Sequence, residues 1–132
     1  MCVFCKIISG QFSSSKVYED DKVLAILDLS QATYGHTLVM PKAHYENIFD
    51  LDEETAKHLL GVVSKICKHY KEVLPNLKGI NLLNNNGQKA GQTVMHYHIH
   101  ILPRYEDDDL VDMKFTEHKM NLSEICEQLK IK

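Results

Sequence analysis

Residues 91–104 read GQTVMHYHIHILPR, and three histidines, His96, His98 and His100, stand two residues apart in it. A period of two is the side-chain period of a β-strand, and Val94, Tyr97, Ile99 and Leu102 suit a strand. The spacing therefore predicts a strand over 94–103. The three imidazoles project from one face, and Tyr97, Ile99 and Ile101 from the other. At a rise of about 3.3 Å per residue, successive imidazoles on one face are rooted roughly 6–7 Å apart, close enough to converge on one metal ion or one phosphate. A single histidine there would be an ordinary half-exposed strand residue. Three in five residues, from eight in the whole chain, favour a site.

Working outward, 84–93 reads NNNGQKAGQT, which supplies amides, a hydroxyl and glycine backbone beside the histidines. Backbone N–H groups and neutral amide donors are what a phosphate needs. Two histidines one apart on a strand also suit zinc with a further ligand from elsewhere. A catalytic metal site would draw on a nearby carboxylate, and none occurs between residues 73 and 105. The balance favours phosphate chemistry, in which a neutral imidazole attacks phosphorus and neighbouring donors stabilise the charge.

The rest of the chain reads as one α+β domain. A short helix over 3–9 ends at Gly10. KVYED and KVLAILDLS are two strands joined at the turn-forming Asp20–Asp21 pair, and GHTLVMP is a third, closed by Pro41. From about Asp52 to Leu74, Ala56, Leu59, Leu60, Val63, Ile66, Cys67, Tyr70 and Leu74 recur every three or four residues, an amphipathic helix with Asp50 or Asp52 as cap and Pro75 as stop. GINLLNNNGQ is a fourth strand, and NLSEICEQLKIK a terminal helix capped at Asn121 or Ser123. Strands in succession around one long helix predict an antiparallel sheet. We divide the chain into a domain over 1–105 and an appendage over 106–132, the acidic linker EDDDL and the terminal helix packed on or beside the domain.

With 132 residues, 44% of them hydrophobic, the chain can bury one real core. A net charge of −3 without a basic block argues against nucleic acid as partner. No run is long enough to span a membrane, and MCVFCKIISG lacks the apolar region of a signal peptide. A cytoplasmic protein is expected, and with it free thiols at Cys67 and Cys126 that serve as packing. Cys2 and Cys5 form C-x-x-C, which reads as metal or redox.

HYHIHIL fits the pattern His-φ-His-φ-His-φ-φ, and the chain resembles the histidine triad family. CKIISGQ, VYEDDKVLAILDLS, GHTLVMPKAH and NNNGQKAGQTVMHYHIHILPR resemble family segments in family order over residues 2–105, nearest the small bacterial triad hydrolases and the nucleotide-binding branch. The resemblance implies a five-stranded antiparallel sheet with one long helix, paired into a homodimer with a continuous sheet. It implies cleavage of a purine nucleotide at its α-phosphate, releasing a nucleoside monophosphate.

By position, His98 matches the nucleophile that forms a nucleotidyl-histidine. His100 matches the residue bonded to the phosphate, and His36 the fourth histidine near the leaving group. Gln92 and Thr93 match contacts to phosphate or the bridging atom. Asn85 matches a polar phosphate-side position, with a plain turn residue an equal alternative. Asp28 matches the acceptor of both ribose hydroxyls, and Phe4, Ile7, Ile26 and Leu29 the walls around the base. Relatives with this C-x-x-C bind structural zinc through it and two histidines, which here are His44 and His96. No organic cofactor is implied. The chain departs from amine-releasing members in having no tryptophan and a different C-terminus, so the leaving group stays open. Two other functions compete: a non-catalytic nucleotide-binding or interaction module, and a zinc hydrolase using the triad as its metal site.

Overall fold

The structure is a computed structural model that describes residues 2–106 and 113–132. Beyond Glu106, the acidic linker lies outside the described residues. In chain order the elements are α1 (Val3–Ile8), β1 (Lys16–Glu19), β2 (Val23–Leu27), β3 (Thr37–Pro41), α2 (Glu53–Val73), β4 (Gly79–Leu83), a 3-10 turn (Gln88–Ala90), β5 (Ile99–Arg104) and α3 (Leu122–Leu129).

The five strands form one sheet in the order β1-β2-β3-β5-β4, every neighbouring pair antiparallel. Two hairpin connections build β1-β2-β3. The chain then crosses through α2 to the far edge, lays down β4, and returns β5 into the gap. β5 is therefore central, bonded to β3 through Thr37↔Ile101, Leu38↔His100 and Val39↔Ile99, and to β4 out to Leu83↔His100.

Each face of the sheet has its own core, because strand side chains alternate. On one face Val23, Ala25, Val39, Tyr97, Ile99 and Ile101 meet Leu59, Val62, Val63, Ile66 and Tyr70 of α2. Truncating Leu59, 1% exposed, would cost about 2–5 kcal/mol. Asp52 caps α2 by accepting the Thr55 N–H. Leu60, expected on the apolar face, is exposed and Val62 is buried instead. At 100° per residue Leu60 falls about a quarter-turn from Leu59, off the stripe centred on Leu59, Val63, Ile66 and Tyr70.

On the other face Leu24, Ile26, Leu38 and Met40 pack against Phe4 of α1. This is the face on which His100 stands, and α1 covers only part of it. The last strand begins at Ile99, later than the alternation predicts. Upstream, the Tyr97 N–H is taken by the Tyr45 carbonyl and the His98 carbonyl by the Asn84 side-chain amide. The backbone at His96–His98 is thus hydrogen-bonded outside the ladder. Tyr97 still points to α2, as the alternation requires.

The terminal helix is present, capped by Asn121, whose side chain accepts the Glu124 N–H, and none of its residues is buried. Cys126, expected to be packed, is exposed, whereas Cys67 lies half-buried against the α2 core. Among the described residues no helix is long and apolar enough to cross a membrane.

Candidate functional site

His98 sits on the last non-ladder residue before β5, 7% exposed. Its Nδ1 lies 2.7 Å from the His96 carbonyl oxygen. A carbonyl only accepts, so Nδ1 carries the proton and Nε2 keeps its lone pair. Burial lowers the pKa of His98, which keeps the ring neutral and the lone pair available.

A second chain of donors fixes His100. The Ala32 N–H donates to His36 Nδ1 at 3.2 Å. In the neutral ring the proton is then on His36 Nε2, which lies 2.9 Å from His100 Nδ1. His100 is left with its proton on Nε2, a donor aimed away from His36. Burial first, and then the neighbouring His98 and His36, push the His100 pKa down to about 4, so it donates as a neutral ring. His36 itself is 6% exposed and 3.5 Å from Asp28 Oδ2. Asp28 Oδ1 accepts the Ser30 N–H. His36, His98, His100, Asn85 and Thr93 line one cavity of about 620 Å³.

The expected base walls divide. Phe4 is buried and stands edge-on to His98, 4.9 Å between ring centroids. Ile26 is buried beside it and Ile7 partly so. Leu29 is fully exposed, so in the single protomer it walls nothing. Gln92 is placed differently from its expected role. It is 2% exposed, its Nε2 donates to the Glu46 and Val94 carbonyls, and its Oε1 accepts the Gly87 N–H. With its side-chain hydrogen bonds so directed, Gln92 braces the loop and does not line the cavity. Asn85 donates weakly to the Gly91 carbonyl at 3.4 Å and lies against Gly91 Cα, whose φ of +99° suits glycine.

Two residues escaped the sequence reading. Asn84 holds the His98 carbonyl at 2.8 Å; its only sequence signal is membership of the Asn84–Asn86 run. Gln31 ties the 28–36 loop, donating to the Asp28 and His36 carbonyls and accepting from the Gly35 and His36 N–H groups. A side chain that serves four backbone groups has no pattern in sequence.

Cys2, Cys5, His44 and His96 do come together, their ligand atoms all within 4.8 Å of one another. Cys2 Sγ is 3.4 Å from His96 Nδ1 and 3.6 Å from His44 Nδ1; Cys5 Sγ is 3.6 and 3.4 Å from the same atoms; the two Nδ1 atoms are 3.1 Å apart. Zinc bonds of about 2.3 Å to sulfur and about 2.0 Å to nitrogen, in a tetrahedron, set sulfur–nitrogen edges of about 3.5 Å and nitrogen–nitrogen edges of about 3.3 Å. The four donors fit that shape. His96 Nε2 lies 2.8 Å from the Pro41 carbonyl, so the proton is on Nε2 and Nδ1 faces the cysteines with its lone pair. A backbone acceptor behind the ring is the usual support of a metal-bound histidine. Burial, with Cys2 beside it, pushes the Cys5 thiol pKa up, so an ion binding here displaces protons. His96 is 0% exposed, and its ring nitrogens face the Pro41 carbonyl and the cysteines, not the cavity lined by His98 and His100, so the three triad histidines do not share one ligand.

The HIT domain family matches residues 9–107. A Bacillus subtilis relative, protein hit, is 54% identical over 108 residues, 82% of this chain and 74% of its own. An Arabidopsis thaliana relative named adenylylsulfatase HINT3 is 39% identical over 132 residues, 97% of this chain and 65% of its own. A HIT family protein from Bacillus anthracis superposes with a TM-score of 0.91 at 50% identity, covering 97% of this chain and 94% of its own. A Zn-bound histidine triad family protein from Mycobacterium smegmatis does so at 0.79 and 38%, covering 88% and 84%. Sheet order, triad geometry and these likenesses agree, and the chain belongs to the HIT family.

Proposed function

We propose that this protein is a nucleotide hydrolase or nucleotidyl transferase that cleaves purine nucleotides at the α-phosphate through a covalent intermediate on His98. The observation that carries this reading is the Nδ1–H···O=C bond from His98 to His96, 2.7 Å long. It leaves a neutral, buried Nε2 lone pair at the cavity and no other tautomer. Attack by Nε2 forms the nitrogen–phosphorus bond while the bond from phosphorus to the leaving group breaks, the leaving group taking the electron pair. The ring becomes cationic, and the His96 carbonyl, already accepting from Nδ1, stabilises that charge. His100 Nε2–H donates to a non-bridging phosphate oxygen. Water then attacks phosphorus, loses a proton, and returns His98 to its neutral form with release of the nucleoside monophosphate.

Asp28 takes the ribose hydroxyls, and Phe4, Ile7 and Ile26 hold the base by apolar contact. Asn85 and Thr93 face the phosphate. The substrates in view are nucleoside phosphoramidates and dinucleoside polyphosphates, and the relative named adenylylsulfatase adds adenylyl sulfate. Zinc at Cys2, Cys5, His44 and His96 supplies a structural cross-link, since four protein ligands leave no place for a reacting water. The Zn-bound relative and the fit of the donor set support it. We also propose a homodimer with a continuous sheet, residues 1–105 as its catalytic unit and a cytoplasmic location. The dimer is supported by β4, which ends the sheet with Leu82 and Leu83 exposed, an edge that proteins normally protect.

The test is intact-mass spectrometry after brief mixing with adenosine 5′-phosphoramidate and, separately, diadenosine polyphosphate. The expected result is a transient mass increase of one adenylate on the wild type, absent in His98→Ala, with AMP released on incubation. No adduct and no AMP from either substrate, with His98→Ala binding AMP as tightly as wild type, would overturn the enzymatic reading.

A further inference from the structure

The run Asn84-Asn85-Asn86 divides its work. Asn85 lines the cavity with His98 and His100, whereas Asn84 and Asn86 form a hydrogen-bonded relay. Asn84 Nδ2 donates to the His98 carbonyl at 2.8 Å, Asn86 Nδ2 donates to Asn84 Oδ1 at 2.7 Å, and Asn86 Oδ1 accepts the Ile48 N–H at 2.7 Å. Both ends of the relay are backbone groups of fixed sense, because a carbonyl only accepts and an N–H only donates. The direction of each bond between them follows, and each amide is held in one orientation. Ile48 closes a segment, 45–48, whose other bonds run to the same region. The Tyr97 N–H donates to the Tyr45 carbonyl at 2.7 Å, and Gln92 Nε2 donates to the Glu46 carbonyl at 2.6 Å. The peptide on one side of His98 is thus fixed directly, through Tyr97, and the peptide on the other side through the relay.

We propose that Asn86 is a positioning residue for His98, acting through Asn84 by fixing which way the Asn84 amide faces. The assignment rests on the nucleotide-cleaving function proposed above, and it gives Asn86 no part in contacting the nucleotide. An amide offers an acceptor on one branch and a donor on the other, which is what the two neighbours of Asn86 require; a carboxylate of the same shape offers two acceptors. In Asn86→Asp the Ile48 N–H keeps its acceptor, but Asn84 Oδ1 meets a second oxygen. The Asn84 amide is then driven to turn over, which sets its own oxygen against the His98 carbonyl and withdraws the donor. The peptide after His98 loses its anchor just where β5 begins. A reacting group misplaced by about 1 Å can cost about 10²-fold in rate, so a partial shift of the His98 ring is felt in the chemical step.

The test is a double-mutant cycle over Asn86→Asp and Asn84→Ala, with kcat and KM measured on whichever of adenosine 5′-phosphoramidate and diadenosine polyphosphate the wild type turns over faster. Asn86→Asp is expected to lower kcat about tenfold and to change KM less than about twofold. In the Asn84→Ala background the same substitution is expected to change kcat less than about twofold, because the group it acts through is gone. The carbonyl-carbon NMR shift of His98, read through the Ile99 amide, should move in Asn86→Asp in the same direction as in Asn84→Ala. Losses in kcat that multiply across the cycle would show that Asn86 acts through the Ile48 turn and not through Asn84. Wild-type kcat in Asn86→Asp would remove Asn86 from the reaction; either result overturns the proposal. If wild type turns over neither substrate, the nucleotide function fails and the positioning role with it, while the His98 carbonyl shift still decides whether Asn86 sets the Asn84 amide.

Discussion

His98 donates its Nδ1 proton to the backbone carbonyl of His96, and His96 turns its own Nδ1 toward Cys2, Cys5 and His44. One residue therefore serves two sites, by its side chain to the metal-type cluster and by its backbone to the proposed nucleophile. Phe4 strengthens the link. It lies in α1 between Cys2 and Cys5 of the cluster, and its ring meets His96 at 5.8 Å and His98 at 4.9 Å.

Metal removal should consequently reach the nucleotide. Stripping zinc with a chelator, or Cys2→Ser with Cys5→Ser, is expected to weaken AMP binding several-fold, because α1 and Phe4 lose their anchor. It should also lower Tm by at least about 5 °C, taking a loss of roughly 2 kcal/mol. Metal analysis, calorimetry and AMP titration on one preparation check this. One zinc per chain lost without change in Tm or AMP affinity would break the link.

Asn84 should matter more than a loop asparagine does. It holds the His98 carbonyl where the strand ladder has not begun. Asn84→Ala is expected to cost about 1–3 kcal/mol of stability, the penalty for a buried acceptor left unpaired. It should lower kcat more than it raises KM, because the nucleophile is displaced while base and ribose contacts stay. Denaturant unfolding and steady-state kinetics separate the two effects.

His36 is expected to act through His100, to which it is hydrogen-bonded. In His36→Phe the donor to His100 Nδ1 is gone, and the tautomer with Nε2–H is no longer enforced. A loss of about 10²-fold in kcat is expected, in line with removal of one oriented donor at a phosphate. Nitrogen NMR shifts of His100 should move from a fixed to a mixed tautomer. A rate loss with an unchanged His100 tautomer would mean that His36 acts another way.

The pH dependence has a definite sign. Burial lowers the pKa of His98, and that of His100 to about 4. Between about pH 4 and the ordinary histidine value near 6.5, the unfolded chain binds more protons than the native one. Stability contributed by the His100 ring is full above about pH 6.5 and is lost as pH falls toward about 4, and that of His98 falls in the same direction. The loss is of order 1–3 kcal/mol for His100, its partial exposure included. The same shift keeps His98 unprotonated in mild acid, so the acid limb of kcat/KM should lie below pH 6.5. An acid limb at or above 6.5 would show that His98 titrates as an exposed histidine.

The alternation His96-Tyr97-His98-Ile99-His100-Ile101 by itself decided which side chains face α2 and which face the site, because a period of two follows from strand stereochemistry alone. The three- and four-residue recurrence from Leu59 to Tyr70 likewise determined a helix and its buried stripe. Both signals are local, and local geometry is what a sequence states directly. Cys2, Cys5, His44 and His96 were legible as a set through their motifs, but their convergence is a tertiary fact.

What only the tertiary structure decided involves groups with no fixed spacing. Strand order places β5 between β3 and β4, which brings His36 to 2.9 Å from His100, 64 residues away in sequence. The side-chain amide of Asn84 and the carbonyl of Tyr45 take backbone bonds that would have extended the strand to His96. Gln92, which reads as a phosphate contact, is consumed by three backbone partners. Lys114 reaches the histidines' cavity from beyond the sheet. Each outcome depends on where a distant backbone group or chain segment comes to lie, and hydrogen-bond satisfaction is settled only when the whole chain has packed.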